Sequence, residues 1–256
     1  MRELTARLNQ VRQRLTERSP LGADETERIA RKHFGTVRPI VEYLWTRYGF
    51  GQRRVLEIGS SYGDHLLFWG EGSEGIELQE RQSGFTSALG FPTHRLNVED
   101  ELGTLPAESY DAIHTNNLLE HLVAPHLFLA RCHHLLRHDG LLVIGHPVVP
   151  SAASRWAWSA MGYGGWLAGE HINFFTPETV RLTLERAGFE VLEQLSPGFL
   201  RINRAASRLA LPVGVGCYSI CRKRLHYRYS QKRLAAFDPA YCRDELAAFR
   251  DRLAAD

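Results

Sequence analysis

The stretch that most restricts the fold is Arg53 to Trp69, RRVLEIGSSYGDHLLFW. Val55 to Ile58 is a short apolar run of the kind that forms a buried strand, Gly59 to Gly63 is a turn of small residues, and His65 to Trp69 opens a helical apolar face. A strand, a tight turn and a helix in that order belong to an α/β protein. Gly59 and Gly63 let the backbone take positive φ and let a ligand approach the main chain, while the following helix would offer free N–H groups. Glu57 is expected beside that ligand, where a carboxylate suits a cationic or amine-bearing molecule and repels a pyrophosphate. The next apolar segment ends at Gly75-Ile76-Glu77, which places a second acid where a doubly wound sheet binds a ribose diol. The turn reads G-S-S-Y-G and lacks the G-x-G-x-x-G spacing, which argues against a dinucleotide.

Elsewhere the periodicity predicts elements in a regular order. Leu4, Leu8, Val11 and Leu15 recur at helical spacing over residues 2–17, Ser19-Pro20-Leu21-Gly22 breaks the pattern, and Asp24 can cap a second helix. Val37, Ile40, Val41, Leu44, Trp45 and Tyr48 give a third helix its buried face. Phe91 to Val98 reads as the third strand and Tyr110 to Thr115 as the fourth, with Asn116, Asn117, Glu120 and His121 beyond its carboxyl end. Pro125 to Arg137 reads as a helix and Asp139-Gly140 as a turn into a fifth strand, Leu141 to Ile144. Thr176 and Pro177 start another helix that Gly188 ends; Phe189 to Leu195 and Val215 to Cys221 read as the last strands, bridged by a helix from Phe199 to Leu209. Residues 226–256 read as helical and peripheral.

Residues 147–175 break pattern: they are rich in Gly, Ser, Ala and aromatics and hold Trp156, Trp158 and Trp166, three of the five tryptophans. A segment this long between regular elements either closes over an apolar, planar or sugar ligand or packs onto the domain. Cys132, Cys217, Cys221 and Cys242 form no C-x-x-C pair and no zinc-ligand spacing, so reduced thiols are expected. Cys132, His133, His134 and His138 are expected on a solvated helix flank. The net charge of +2 divides unevenly, with +7 on residues 201–256 and −5 on residues 1–200. That asymmetry fits an anionic partner or membrane surface, or simply a solvated basic face. With no apolar stretch of membrane-spanning length and an amphipathic, charged N-terminus, a cytoplasmic protein is expected.

The segments LEIGSSYG, GIELQ, YDAIHTNNLLEHL, LLRHDGLLVIGHP and HINFFTPETVRLTLERAGFEVLE, spread from Arg53 to Leu195, resemble in order and spacing the class I S-adenosylmethionine-dependent methyltransferases. Within that family they are similar to the small-molecule branch that includes the ubiquinone-biosynthesis type. The resemblance implies a doubly wound, mostly parallel seven-stranded sheet (the Rossmann-like methyltransferase fold) with N-terminal helices and a lid insertion. It divides the chain into a helical cap over residues 1–50, a cofactor-binding domain over 51–225 with a substrate lid at 147–175, and a helical extension over 226–256. It also implies S-adenosylmethionine as cofactor, held by Glu57, Gly59, Ser61, Gly63, Glu77, Asn97, Val98 and Thr115. Ser61 stands where the family has its middle glycine, and Asn97 where the usual aspartate reads the adenine amine.

Methyl transfer from a sulfonium is an in-line displacement, and a hydroxyl acceptor also needs a base near neutral pH. His121 and His146 follow strand ends and His171 precedes the end of the lid, so the base is expected to be His121 or His171. His146, Trp156, Trp158, Trp166 and Asn173 are the expected substrate contacts. Thr115-Asn116-Asn117-Leu118 is not the [DN]PPY-like turn of exocyclic-amine nucleic-acid methylases, which argues against a nucleic-acid partner, and clustered carboxylates for a catechol-type metal are not apparent there. The expectation is therefore metal-free O-methylation of a small molecule, with N- or C-methylation, or a macromolecular or membrane-surface acceptor at the basic C-terminal region, as alternatives. Oligomeric state is not legible.

Overall fold

The computed structural model describes residues 2–149, 170–196 and 216–224. The chain enters through helices α1 (Arg2–Arg18), α2 (Ala23–Ile29) and α3 (Gly35–Tyr48), the last two joined by a π-helical turn at Ala30–Phe34. The cap position of α2 is Gly22 rather than Asp24, and no side chain caps it. Asp24 lies instead in the first turn, where its charge complements the helix dipole.

The strands follow as β1 (Val55–Ile58), β2 (Glu74–Ile76), β3 (Thr93–His94), β4 (Tyr110–Asn116), β5 (Leu136–Pro147), β6 (Phe189–Leu195) and β7 (Gly216–Lys223). Helix α4 (Glu80–Ala88) joins β2 to β3, α5 (Pro125–Leu135) joins β4 to β5, and α6 (Pro177–Arg186) precedes β6. They make one sheet in the order β3-β2-β1-β4-β5-β7-β6. The first five strands pair in parallel, and β7 runs antiparallel between β5 and β6. This is the mostly parallel seven-stranded sheet that the sequence leads one to expect.

All four residues of β1 are buried, as a strand covered on both faces requires. Val55 packs with Leu4, Val11, Ile40, Val41 and Leu44 of the N-terminal helices, whereas Leu56 and Ile58 pack with Phe128, Leu129, Val180 and Leu184 of α5 and α6. Helices therefore cover both faces, and the carboxyl ends of β1, β2 and β4 come side by side.

Four expectations need correction. The helix predicted from His65 to Trp69 is only a 3₁₀ turn at Leu66–Phe68. The chain is drawn back at once: Gly70 N–H bonds the Phe50 carbonyl at 3.2 Å, and a Cβ at Gly70 would lie 2.4 Å from the Arg53 carbonyl oxygen. Only residues 64–73 separate Gly63 from β2, too few for a packed helix and a return. The third strand is two residues long rather than the predicted Phe91 to Val98, because an Asx turn in which Asn97 Oδ1 accepts the Glu99 N–H at 3.0 Å bends the chain away. Helix α5 stops at Leu135, with the carbonyls of His134 and Leu135 taken by the Glu108 and Ser109 N–H groups, and β5 begins at Leu136. On α5, Cys132 and His133 are buried, the latter edge-on to Phe189 at 5.4 Å, whereas His134 is half-buried and His138, on β5, is exposed, so only part of that run is solvated.

The predicted helices over 199–209 and 226–256, together with Trp156, Trp158, Trp166 and Cys242, lie outside the described residues. Where residues 147–175 are described, their two ends meet: the Val149 N–H donates to the Phe175 carbonyl at 2.8 Å.

Candidate active site at the strand ends

The turn after β1 holds positive φ at Gly59 (74°), Ser61 (49°) and Gly63 (82°). The N–H groups of Gly59 and Ser60 both bond the Ile76 carbonyl, which ties the turn to β2. A Cβ built on Gly59 meets nothing within 4 Å, so the space over that peptide is open. Gly63 differs: its Cβ would stand 2.9 Å from Thr86 Cγ2 and 3.0 Å from Leu67 Cγ. Gly63 thus serves close packing against α4, while Gly59 leaves room for a ligand.

Glu77 closes the same corner. Its Oε2 accepts the Ser61 N–H and its Oε1 the Gln79 N–H, each at 2.9 Å. Each carboxylate oxygen retains a further lone pair, so hydroxyls of a sugar can be accepted without dismantling the turn. Asn97 is exposed and engaged locally, through Glu99 and through Nδ2 to Asp100 at 3.3 Å. The Val98 carbonyl accepts from Arg131 Nη1 at 3.3 Å. Thr115 is fully buried on β4, between Ile58 and Ile144 in the register, and its hydroxyl has no partner among the described residues.

Glu57 is not at the surface of the cleft. Its carboxylate is buried beneath the turn, where Oε2 accepts the Trp69 indole N–H at 2.7 Å and Oε1 meets His114 Nδ1 at 2.9 Å and His65 Nδ1 at 3.3 Å. Burial alone raises this carboxyl, but the two rings outweigh it and hold it at about 2. Burial likewise pushes the His114 ring down. The network is an anion held by N–H donors, and it locks β1, β4 and the 3₁₀ turn together.

A second cluster follows β4. Leu119–His121 is a 3₁₀ turn, and residues 170–173 dock on it. The N–H groups of Ile172 and Asn173 donate to the Glu120 carbonyl at 3.0 and 2.9 Å, and Asn173 Nδ2 donates to the Leu122 carbonyl at 2.5 Å. This brings the His121 and His171 rings edge to face, 4.7 Å between centroids. His121 Nδ1 donates to the Glu170 carbonyl at 3.2 Å, and Nε2 lies 3.9 Å from Glu120 Oε1. The Glu120 side chain is 1% exposed, burial pushes its carboxyl up, and neither oxygen has a hydrogen-bond partner among the described residues. His146 makes other contacts: it is buried, bonded through Nδ1 to the Pro147 carbonyl at 2.9 Å and edge-on to Phe175, with its pKa lowered by burial to about 4.

A model of the methyltransferase-domain family matches residues 22–194 of this chain. The chain belongs to that family. The methyltransferase has the class I S-adenosylmethionine-dependent fold, to which solved structures of low sequence identity are also similar. One is a SAM-dependent methyltransferase from Archaeoglobus fulgidus (19% identity, 76% of this chain and 98% of that one, TM-score 0.52). Another is the S-adenosylmethionine-dependent methyltransferase from Mesorhizobium loti (15% identity, 73% and 98%, TM-score 0.52). A third is the Burkholderia thailandensis 1,6-didemethyltoxoflavin-N1-methyltransferase, solved with bound 1,6-didemethyltoxoflavin and S-adenosylhomocysteine (19% identity, 78% and 84%, TM-score 0.53). No curated protein matches the chain.

Sequence reasoning offered His121 and His171 as alternative bases and missed what joins them. Glu120 stood in view beside His121, but nothing in a one-dimensional pattern says that its side chain is buried with empty oxygens. Asn173, expected on the substrate, clamps the turn through backbone groups. His114 was read only as part of a strand; its signal was a polar ring in an otherwise apolar run, opposite Glu57 in register. Among the described residues of the methyltransferase no helix is long and apolar enough to cross a membrane.

Proposed function

We propose that this methyltransferase uses S-adenosylmethionine to methylate a hydroxyl group of a small molecule, in the manner of the ubiquinone-biosynthesis-like branch its motifs resemble. The observation that supports the reading is the adjacency of two sites: the open turn at Gly59 follows β1, the Glu120–His121–His171 cluster follows β4, and these strands are hydrogen-bonded neighbours. In open α/β sheets that side of the strand ends is where ligands bind. Bound S-adenosylmethionine supplies an electrophilic methyl on a sulfonium. Gly59 leaves room for it, Glu77 accepts its ribose hydroxyls, and Asn97 and Val98 flank the adenine. Glu57, Ser61, Gly63 and Thr115 act beneath that surface by shaping the turn and the strand ends.

The cluster activates the acceptor hydroxyl. In the simplest form of this reading one imidazole takes the proton. The experiment is calorimetry with S-adenosylmethionine followed by transfer of labelled methyl to panels of hydroxyl and amine acceptors. A double variant, His121→Gln with His171→Gln, is expected to bind cofactor normally and to lose roughly 10²–10⁴-fold in rate on the hydroxyl acceptor. Label on amines alone overturns the hydroxyl assignment, and failure to bind S-adenosylmethionine overturns the whole reading.

A further inference from the structure

We propose that Glu120, His121 and His171 bind one divalent transition-metal ion that holds the acceptor through oxygen, so that the transfer is metal-assisted. The acceptor's place there rests on the function proposed above; the ion's binding does not. Three observations independent of any methyl chemistry carry it. Both oxygens of a fully buried carboxylate lack a hydrogen-bond partner among the described residues, a costly state for a group that an ion would satisfy. His121 gives its Nδ1 proton to the Glu170 carbonyl, the outer-shell bond that ligating imidazoles make and that directs Nε2 at the ion. One ligand atom from each of the three side chains lies within 4.8 Å of the other two.

An ion with bonds of about 2.0–2.2 Å sets its ligands roughly 3–4 Å apart, so small rotamer adjustments close the site. Residues 170–173 are already held to the Glu120 turn by backbone bonds, so little order has to be created on binding. Two imidazoles and one carboxylate suit Zn²⁺, Co²⁺, Fe²⁺ or Mn²⁺, and three protein ligands leave coordination positions open. His121 is 34% exposed, so those positions are reachable from the cleft. The ion lowers the proton affinity of an acceptor oxygen it holds. In transfer the hydroxyl proton passes to water, an oxygen pair forms the new C–O bond, and the C–S pair stays on sulfur.

The Glu57–His65–His114 group likewise has one glutamate and two histidines and serves as the internal comparison. Its carboxylate oxygens are already taken by Trp69 and His114, and all three residues are buried. The Nε2 atoms of His65 and His114 have no partner among the described residues, but the carboxylate, unlike that of Glu120, is already satisfied.

The test uses the full chain, stripped with a chelator and titrated with Co²⁺ by visible absorption and calorimetry, without cofactor or acceptor. One equivalent of Co²⁺ is expected to bind with ligand-field bands. His121→Gln and His171→Gln are each expected to abolish the bands and to weaken binding by at least the roughly 10–100-fold that loss of an outer-shell partner costs. Glu120→Gln should do the same; if it fails to fold, the two partly exposed histidines still decide the matter. No Co²⁺ binding, or binding undiminished in both histidine variants, overturns the site. Calorimetry with S-adenosylmethionine on the same stripped protein separates the two proposals. Cofactor binding without Co²⁺ binding removes the ion and leaves methyl transfer standing, whereas Co²⁺ lost only in the histidine variants without cofactor binding does the reverse.

Discussion

At the scale of single residues, glycines that look alike in the sequence do different work. Gly59 faces open space at a φ of 74°, so valine there is strained and also fills the cleft. Gly59→Val is expected to abolish S-adenosylmethionine binding in calorimetry; undiminished affinity would remove the turn from the cofactor site. Glu77 both accepts the Ser61 N–H and retains lone pairs for sugar hydroxyls. Glu77→Ala should weaken cofactor binding by roughly 1–3 kcal/mol, the range for hydrogen bonds to a charged group and for a donor left unpaired. Glu77→Gln, which keeps one acceptor oxygen, should fall between.

At the scale of elements, the short connection between β1 and β2 is the informative one. A helix there was a reasonable expectation from Leu66, Leu67 and Phe68, yet main-chain contact at Gly70 turns those apolar residues into a single 3₁₀ turn. A Cβ at Gly70 would stand 2.4 Å from the Arg53 carbonyl and 2.8 Å from the Arg53 nitrogen, both backbone atoms with no room to yield. Gly70→Ala should cost about 1–3 kcal/mol or more, as overpacking does. Gly84, in α4, has nothing within 4 Å of an added Cβ. Gly84→Ala should be neutral or stabilise by about 0.4–1 kcal/mol through the unfolded chain. Thermal unfolding of the pair measures the contrast, and equal melting temperatures would contradict it. The same comparison shows what a sequence can and cannot reveal about an element: three apolar residues say that a segment is buried, while the backbone that it meets decides its form.

At the scale of the whole molecule, buried titratable groups make the fold sensitive to acid. His146, lowered from 6.5 to about 4, and His114, also lowered, are neutral in the folded protein, while Glu57 is lowered from 4.5 to about 2. In each case the unfolded chain takes up its proton first as pH falls. The histidine contributions are therefore fully present above about pH 6.5 and are lost on the way to the folded values; that of Glu57 is lost between 4.5 and about 2. Each group steepens the loss by about 1.4 kcal/mol per pH unit within its window. Glu120, raised by burial, opposes the trend. Urea unfolding of wild type and His146→Leu from pH 7 to 4 isolates one contribution: the wild type should lose stability faster, and parallel curves would contradict a neutral buried ring.

The order of strands, the turn at Gly59, the carboxylate at Glu77 and the cap at Thr176 were determined by the sequence alone, because alternation, glycine punctuation and capping are local properties of the chain. Tertiary structure decided which carboxylates meet which partners. Glu57, expected against a ligand, is claimed by His114 across the β1–β4 register and by the Trp69 indole, and Glu120 becomes a candidate ligand only because Asn173 and Ile172 dock His171 beside it. Such contacts join residues some fifty positions apart, and burial, which sets the chemistry of each acid, exists only once the chain has folded around it.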